Sequence, residues 1–191
     1  MPLVAAHEGD LLAQDPDRAR FELSLSLNGA VSLEGGRCTR EASDLVGCTG
    51  LAYGMVSVAA GVRLHRWLSL GVVQGIGLAE RATVWQLTAE ARVHPLHGGV
   101  FDPSLGIDAG FIQLFDRLPD SEVGRAEQVN NLAGTLSALV ELAWQLTDAF
   151  SLHLDVRARY LGFPRDFEVL ERVSYRTTWM VSAGLGARYR W

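Results

Sequence analysis

Three residues near the C-terminal end of the chain have the side-chain types of a hydrolytic relay. Ser151, His153 and Asp155 would supply a nucleophile, a general base and a carboxylate that orients the base. They alternate along one predicted strand and share a face, but same-face neighbours lie about 7 Å apart, too far for direct hydrogen bonds. We therefore expect no hydrolase here, and the sequence predicts no catalytic residue and no enzymatic activity.

Two histidines beside a proline are the candidate metal ligands. His94 and His97 flank Pro95 and Leu96, but a zinc site needs three or four ligands, and the segment supplies no third. The sequence predicts that both histidines are solvated at a turn. It predicts no metal site and no cofactor.

Ionisable side chains recur at every second position of several segments, and every fixed cation is an arginine because the chain has no lysine. If these positions face the interior of a narrow barrel, their charges must be paired or hydrated. The main expectation is an ion-pair network that fills the lumen, and the alternative is a narrow polar channel or gate. The predicted network consists of Arg63, Glu90, Arg92, Asp108, Glu141, Asp155, Arg157, Arg159, Arg176 and Arg188.

The fold prediction depends on the C-terminal stretch from Val173 to Trp191. Every second residue is apolar, with aromatic rings near both ends, and the residues between them are polar, small or cationic. This period of two lasts longer than a typical soluble strand, and an aliphatic middle with aromatic ends is typical of a strand that crosses a bilayer. The pattern predicts the closing strand of a transmembrane β-barrel.

Seven segments before it alternate in the same way. They are 21–34, 51–64, 68–78, 85–94, 101–111, 131–144 and 152–160. Residues 126–150 also carry apolar side chains at helical spacing, but an unbroken series of hairpins on both sides favours a strand. The sequence therefore predicts an all-β fold: an eight-stranded antiparallel up-and-down transmembrane β-barrel over residues 20–191, after a mobile tail at 1–19.

Aromatic residues cluster at both ends of the predicted strands, although they were not used to choose them. Such clusters form the girdles that membrane barrels place at the two interfaces. The connections 65–67, 95–99 and 146–150 are short, whereas 35–50, 115–129 and 161–172 are long, which predicts periplasmic termini and exposed long loops. The predicted girdle residues are Trp67, Trp144, Tyr189 and Trp191 at the short-turn end and Trp85, Tyr160 and Trp179 at the loop end.

The two cysteines, Cys38 and Cys48, fall in one polar segment, 35–50. In an oxidising compartment they are predicted to form a disulfide, with a stabilisation of about 2–3 kcal/mol from loop-closure entropy. The alternatives are two unrelated thiols or half of an incomplete zinc site.

The composition restricts the partners. Asp and Glu number 22 against 17 basic residues, a formal charge of −5, which argues against nucleic acid as the main partner. No apolar run approaches about 18 residues, so no membrane-spanning helix is expected. The start lacks the regions of a complete signal peptide, and residues 4–6 could be the tail of a cleavage site, so export is inferred from the barrel.

Two segments carry a resemblance to the small eight-stranded outer-membrane barrels of the OmpA, OmpX and OmpW kind. Residues 185–191, LGARYRW, resemble their aromatic-ended closing strand, with Trp191 where phenylalanine is commoner, and residues 142–152 resemble their periplasmic turn. The resemblance implies a monomer in a Gram-negative outer membrane, in contact with the lipid bilayer, lipopolysaccharide and the outer-membrane assembly machinery. It implies a structural role or surface recognition through the long loops. A transporter of small solutes and a soluble lipocalin-like binder with an apolar interior are the alternatives.

Overall fold

The computed structural model describes residues 20–41, 44–80, 82–96, 100–117, 128–163, 173–175 and 177–191, with side chains for all of these except 35–41, 44–49, 116–117, 128–130 and 173–175. None of the described segments forms a helix that is long and apolar enough to cross a membrane. The strands are β1 Arg20–Glu41, β2 Asp44–His65, β3 Leu68–Ala79, β4 Ala82–Val93, β5 Phe101–Arg117, β6 Gln128–Gln145, β7 Phe150–Gly162, β8 Val173–Tyr175 and β9 Thr178–Arg190.

The sheet is a closed, eight-stranded antiparallel barrel. Consecutive strands pair from β1 to β7, β7 pairs with β9, and β9 returns to β1. The short β8 also pairs with β1, so β8 and β9 together form the eighth strand. At the closure, the backbones of Phe21 and Trp191 exchange two hydrogen bonds of 3.2 Å. The predicted barrel is confirmed.

The distribution of side chains is inverted relative to a water-soluble protein. Leu25 and Leu185 on the outer face are 55% and 63% exposed, whereas Glu90 and Arg157 on the inner face are 7% and 8% exposed. A lipocalin-like binder requires the opposite arrangement, so that alternative is excluded. The outer face is that of a membrane-spanning barrel.

Several predicted boundaries were wrong. Most of the predicted loop 35–50 is strand, because β1 runs to Glu41 and β2 begins at Asp44. The ladder continues there through register shifts between Val31 and Arg40, which is how a polar hairpin can pair without an apolar face. At the ends of the predicted loop 115–129, residues 115–117 and 128–129 are strand, while 118–127 lie outside the described residues. The closing strand divides into β8 and β9. Residues 128–145 are a strand, as predicted, and not a helix.

Candidate functional site

The lumen at the short-turn end is organised around the carboxylate of Asp102 on β5. It accepts hydrogen bonds from Arg63 Nη2 at 3.1 Å and from Arg190 Nη2 at 3.3 Å. His94 Nδ1 lies 3.0 Å from its other oxygen. A buried carboxylate is stable only when it is paired and hydrogen-bonded, and Asp102 has three such partners from three strands or strand ends.

The chain of ion pairs continues towards the middle of the lumen. Arg190 Nε donates to Glu22 at 2.8 Å, and Arg188 Nε lies 3.8 Å from the other oxygen of Glu22. Arg188 Nη2 and Arg92 Nη1 both lie 2.6 Å from Oε2 of Glu141. Two guanidinium groups from β9 and β4 therefore clamp a single oxygen of a fully buried glutamate.

At mid-barrel, Glu90 links two arginines. Its Oε1 accepts from Arg92 Nε, and its Oε2 lies 3.0 Å from Arg157 Nη1. Arg157 also donates to Asp108 at 3.0 Å and to Asp155 at 2.9 Å. One guanidinium thus holds carboxylates from β4, β5 and β7.

Arg159 closes this polar part of the lumen through neutral partners. It donates to Ser137 Oγ at 3.0 Å, to the Tyr53 hydroxyl at 3.1 Å and to Gln86 Oε1 at 2.9 Å. Ser137 in turn donates to Asp108 at 2.9 Å. In the described lumen, five arginines are therefore ion-paired with six carboxylates, and Arg159 joins this network through hydrogen bonds, so that six arginines balance six carboxylates. The ion-paired residues are Arg63, Arg92, Arg157, Arg188 and Arg190 with Glu22, Glu90, Asp102, Asp108, Glu141 and Asp155.

On the loop side of Arg159 the lumen contains a buried hydrophobic cluster, which was not predicted. This cluster, here called the apolar layer, consists of Ala30, Leu51, Tyr53, Met55, Val84, Ile112, Leu114, Leu161 and Met180. The buried polar side chains of Asn131, Thr135 and Thr178 lie beside it. Four of the nine residues of the apolar layer, Val84, Ile112, Leu114 and Leu161, lie one to three residues beyond the predicted ends of their strands. Extending the inward-outward alternation by that much would have found these four.

Two cavities between described residues of the lumen are small. One cavity of about 20 Å³ is lined by Glu22, Ser69, Arg92 and Arg188, among others. Another of about 10 Å³ is lined by Tyr53, among others. A single water needs about 10–15 Å³, so each cavity holds about one water.

Ser69, His94 and Asp102 form a hydrogen-bonded relay that the sequence did not reveal. Ser69 Oγ lies 3.0 Å from His94 Nε2, and His94 Nδ1 lies 3.0 Å from Asp102. His94 is 1% exposed, so the prediction that it is solvated was wrong, while His97 lies outside the described residues. Ser69 is itself buried beside a one-water cavity, which leaves no room for a substrate.

The predicted relay of Ser151, His153 and Asp155 does not form. His153 Nε2 instead lies 2.9 Å from Ser26 Oγ on β1. Ser151 Oγ has no hydrogen-bond partner among the described residues. Both histidines of the lumen therefore contact a serine from a neighbouring part of the barrel wall rather than one on their own strand.

The predicted girdle residues lie on the outer face in two groups. At the loop end, the rings of Trp85 and Phe111 and those of Tyr160 and Trp179 have centroids 5.6 and 5.2 Å apart. At the turn end, Trp144 packs with Phe101, Tyr189 with Trp191, and Trp67 with His65, at 6.4, 5.9 and 5.3 Å.

Nine of the ten predicted network residues face the lumen and are brought together there, while Arg176 lies outside the described residues. Glu22, Asp102 and Arg190 also hold ion pairs and were not among the predicted ten, although the alternation of the sequence places Arg190 on the inward face and Glu22 near its rim. Asp102 is separated by an even number of residues from Ser104 and Asp108, which face the lumen. The alternation of β5 could therefore have predicted that Asp102 also faces inward. The side chains of Cys38 and Cys48 lie outside the described residues, but the backbone register of β1 and β2 places the two directly opposite each other.

Comparison with solved structures identifies the architecture. The Neisserial surface protein A (NspA) aligns with a TM-score of 0.63 at 13% identity, over 88% of this chain and 96% of that one. The outer membrane protein OprG of Pseudomonas aeruginosa aligns with 0.55 at 12% identity, over 91% and 97%. The N-terminal barrel domain of Pseudomonas aeruginosa OprF aligns with 0.51 at 13% identity, over 88% and 97%.

The shared fold is that of small outer-membrane barrels. The chain thus has the architecture that its resemblance implied. No protein-family model matches the chain, and no curated protein sequence matches it.

Proposed function

We propose that the protein is a closed barrel of a Gram-negative outer membrane, whose function lies on the surface above the barrel rather than in transport through it. The filled lumen is the observation that carries this proposal. The balanced ion-pair network occupies the turn side and middle, and the apolar layer occupies the loop side. An ion entering from the loop side would have to lose hydration as it passed the buried side chains of this layer.

The extended β1–β2 hairpin supports a role at the surface. β2 first pairs with β3 at Tyr53, so residues 44–52 extend beyond β3 by about 30 Å of strand length. This hairpin extends from the end of the barrel at which β5 and β7 end and β6 begins. Lipopolysaccharide is the proposed lipid partner at this end, since Arg37, Arg40 and Arg117 fall there and guanidinium groups bind phosphate.

Planar-bilayer recording tests the closed lumen. The purified, folded protein is expected to give no conductance steps under conditions in which a large porin, inserted as a control, gives them. Reproducible single-channel steps that disappear in Ile112→Trp would overturn the proposal and support the narrow channel.

Epitope insertion tests the position of the surface. A tag placed between Ala42 and Ser43 is expected to bind antibody on intact cells. The same tag between Thr147 and Asp148, in the β6–β7 turn, should bind only after the outer membrane is permeabilised. The reverse pattern would contradict a recognition role for the hairpin.

A further inference from the structure

Gln74 is a polar residue on the apolar outer face of β3. Its side chain is exposed, and the outward residues on either side of it along the strand, Val72 and Ile76, are exposed and apolar. Its direct neighbours across the sheet are Val58 on β2 and Leu87 on β4. The Gln74 amide has no hydrogen-bond partner among the described residues.

The position of Gln74 is in the hydrocarbon part of the membrane. Ile76, two residues further along β3, pairs with Trp85 of the loop-end girdle, and Leu68 at the turn end lies six residues away. At about 3.3 Å per residue, the amide lies about 7 Å of strand length below one girdle and about 20 Å from the other end. Two other outward polar side chains lie at the interface itself. Gln113 is directly opposite Trp85, and Thr83 lies two residues beyond Trp85 on β4.

Between the two girdles, Gln74 is the only polar side chain on the described outer face. Hydrocarbon offers no hydrogen bonds, so a primary amide with two donors and an acceptor is costly there unless a protein group satisfies it. Ala60 and Ala89 flank Val72 on β2 and β4. Because these alanine side chains are small, the outer surface of a second barrel can pack closely beside the amide.

We infer that the β3 face is an intramembrane interface with a second copy of this chain, in which two Gln74 amides hydrogen-bond to each other across a two-fold axis. A two-fold axis brings the same residue of both copies together. A primary amide is its own complement, because the carbonyl of each can accept an N–H of the other. Lipids carry their polar groups at the interfaces, whereas a second copy presents its amide at the same depth. The monomer implied by the resemblance gives way here to a dimer, and the inference is independent of the closed lumen.

Energy transfer between labelled copies in lipid vesicles tests the interface. For the wild-type chain, transfer is expected to fall along a monomer–dimer curve as the protein is diluted in lipid. Gln74→Leu should raise the dissociation constant by about tenfold, as expected for loss of a membrane hydrogen bond. Gln113→Leu, on the same outer face at the girdle, should leave it unchanged.

Cysteine cross-linking in cells provides the second measurement, in a chain with Cys38→Ser and Cys48→Ser. Val72→Cys beside Gln74 should form a cross-linked dimer, whereas Leu154→Cys on the opposite wall should not. Absence of transfer at every dilution, or equal dimerisation by Gln74→Leu and the wild type, would overturn the inference. So would a cross-link from Val72→Cys to a different membrane protein in place of a second copy.

Discussion

Glu141 and Asp155 lie directly opposite each other on β6 and β7, and both carboxylates are buried. Like charges in directly opposed positions destabilise a strand pair. The pair is held because arginines bind both members: Arg188 of β9 and Arg92 of β4 approach Glu141 to 2.6 Å, and Arg157 of β7 approaches Asp155 to 2.9 Å. The β6–β7 pairing therefore depends in part on side chains that β4 and β9 contribute.

Removal of one of these arginines should destabilise the whole barrel. We expect Arg188→Ala to lower the free energy of unfolding by about 3–5 kcal/mol, because it leaves Glu22 and Glu141 under-neutralised in the lumen. Denaturant unfolding in lipid, followed by the gel shift between folded and unfolded barrel, measures this. Arg66→Ala at the exposed β2–β3 turn is the control and should change stability by less than about 0.5 kcal/mol.

The charge origin of that effect can be separated from the loss of packing. Adding Glu141→Gln to Arg188→Ala removes the under-neutralised carboxylate and should recover part of the lost stability. A double variant that is less stable than Arg188→Ala alone would contradict the electrostatic account.

The apolar layer should contribute to stability as a core does. Ile112 and Ile107 lie on the same strand, but Ile112 faces the lumen at 0% exposure and Ile107 faces lipid at 61%. We expect Ile112→Ala to cost about 2–5 kcal/mol, because it leaves a cavity. Ile107→Ala should cost less, because lipid chains fill the gap. Equal losses in the same unfolding assay would show that the layer is not a packed core.

The relay of Ser69, His94 and Asp102 is expected to be structural. Ser69→Ala should lower the free energy of unfolding by about 1–3 kcal/mol, since it leaves a buried His94 nitrogen without its partner. The wild-type protein should neither hydrolyse a small activated ester above the Ser69→Ala background nor be labelled by a fluorophosphonate. Labelling at Ser69 would show that the buried serine is reached by reagents and is activated.

Cys38 and Cys48 are expected to be cross-linked in the exported protein. Their direct opposition in the β1–β2 register is compatible with a cross-strand disulfide. Maleimide labelling of the denatured protein should modify neither cysteine before reduction and both after it. Modification of both without reduction would favour the alternative of two independent thiols, and Cys38→Ser, which frees Cys48, provides the labelling control.

The strand parity and the inverted face could be predicted from sequence, because both follow from local alternation. Leu25 and Glu90 took their predicted faces for this reason. The hairpin at 35–50 could not be predicted, because its residues show no apolar alternation. It is held by backbone pairing between β1 and β2, which continues from the barrel wall into the hairpin.

Contacts across the lumen also could not be read from the sequence. Arg157 meets Glu90, 67 residues away, because of the combined register of four strands, and a one-residue slip in any of them would change the partner. The relay of Ser69 with His94 and Asp102 depends on register in the same way. Asp102 was missed for a local reason. It lies at the start of β5, between the turn and Pro103, where the inward-outward alternation is hard to recognise.

The seam between the first and last strands sets the order in which the molecule can be completed. Glu22 binds Arg190 across 168 residues of chain, and Phe21 exchanges backbone hydrogen bonds with the final residue, Trp191. Every shorter chain emerging from synthesis therefore carries two unpaired sheet edges, which promote aggregation. Closure comes last, at the greatest cost in chain entropy, so a factor that shields both edges until β9 arrives would decide how much of the protein reaches the membrane.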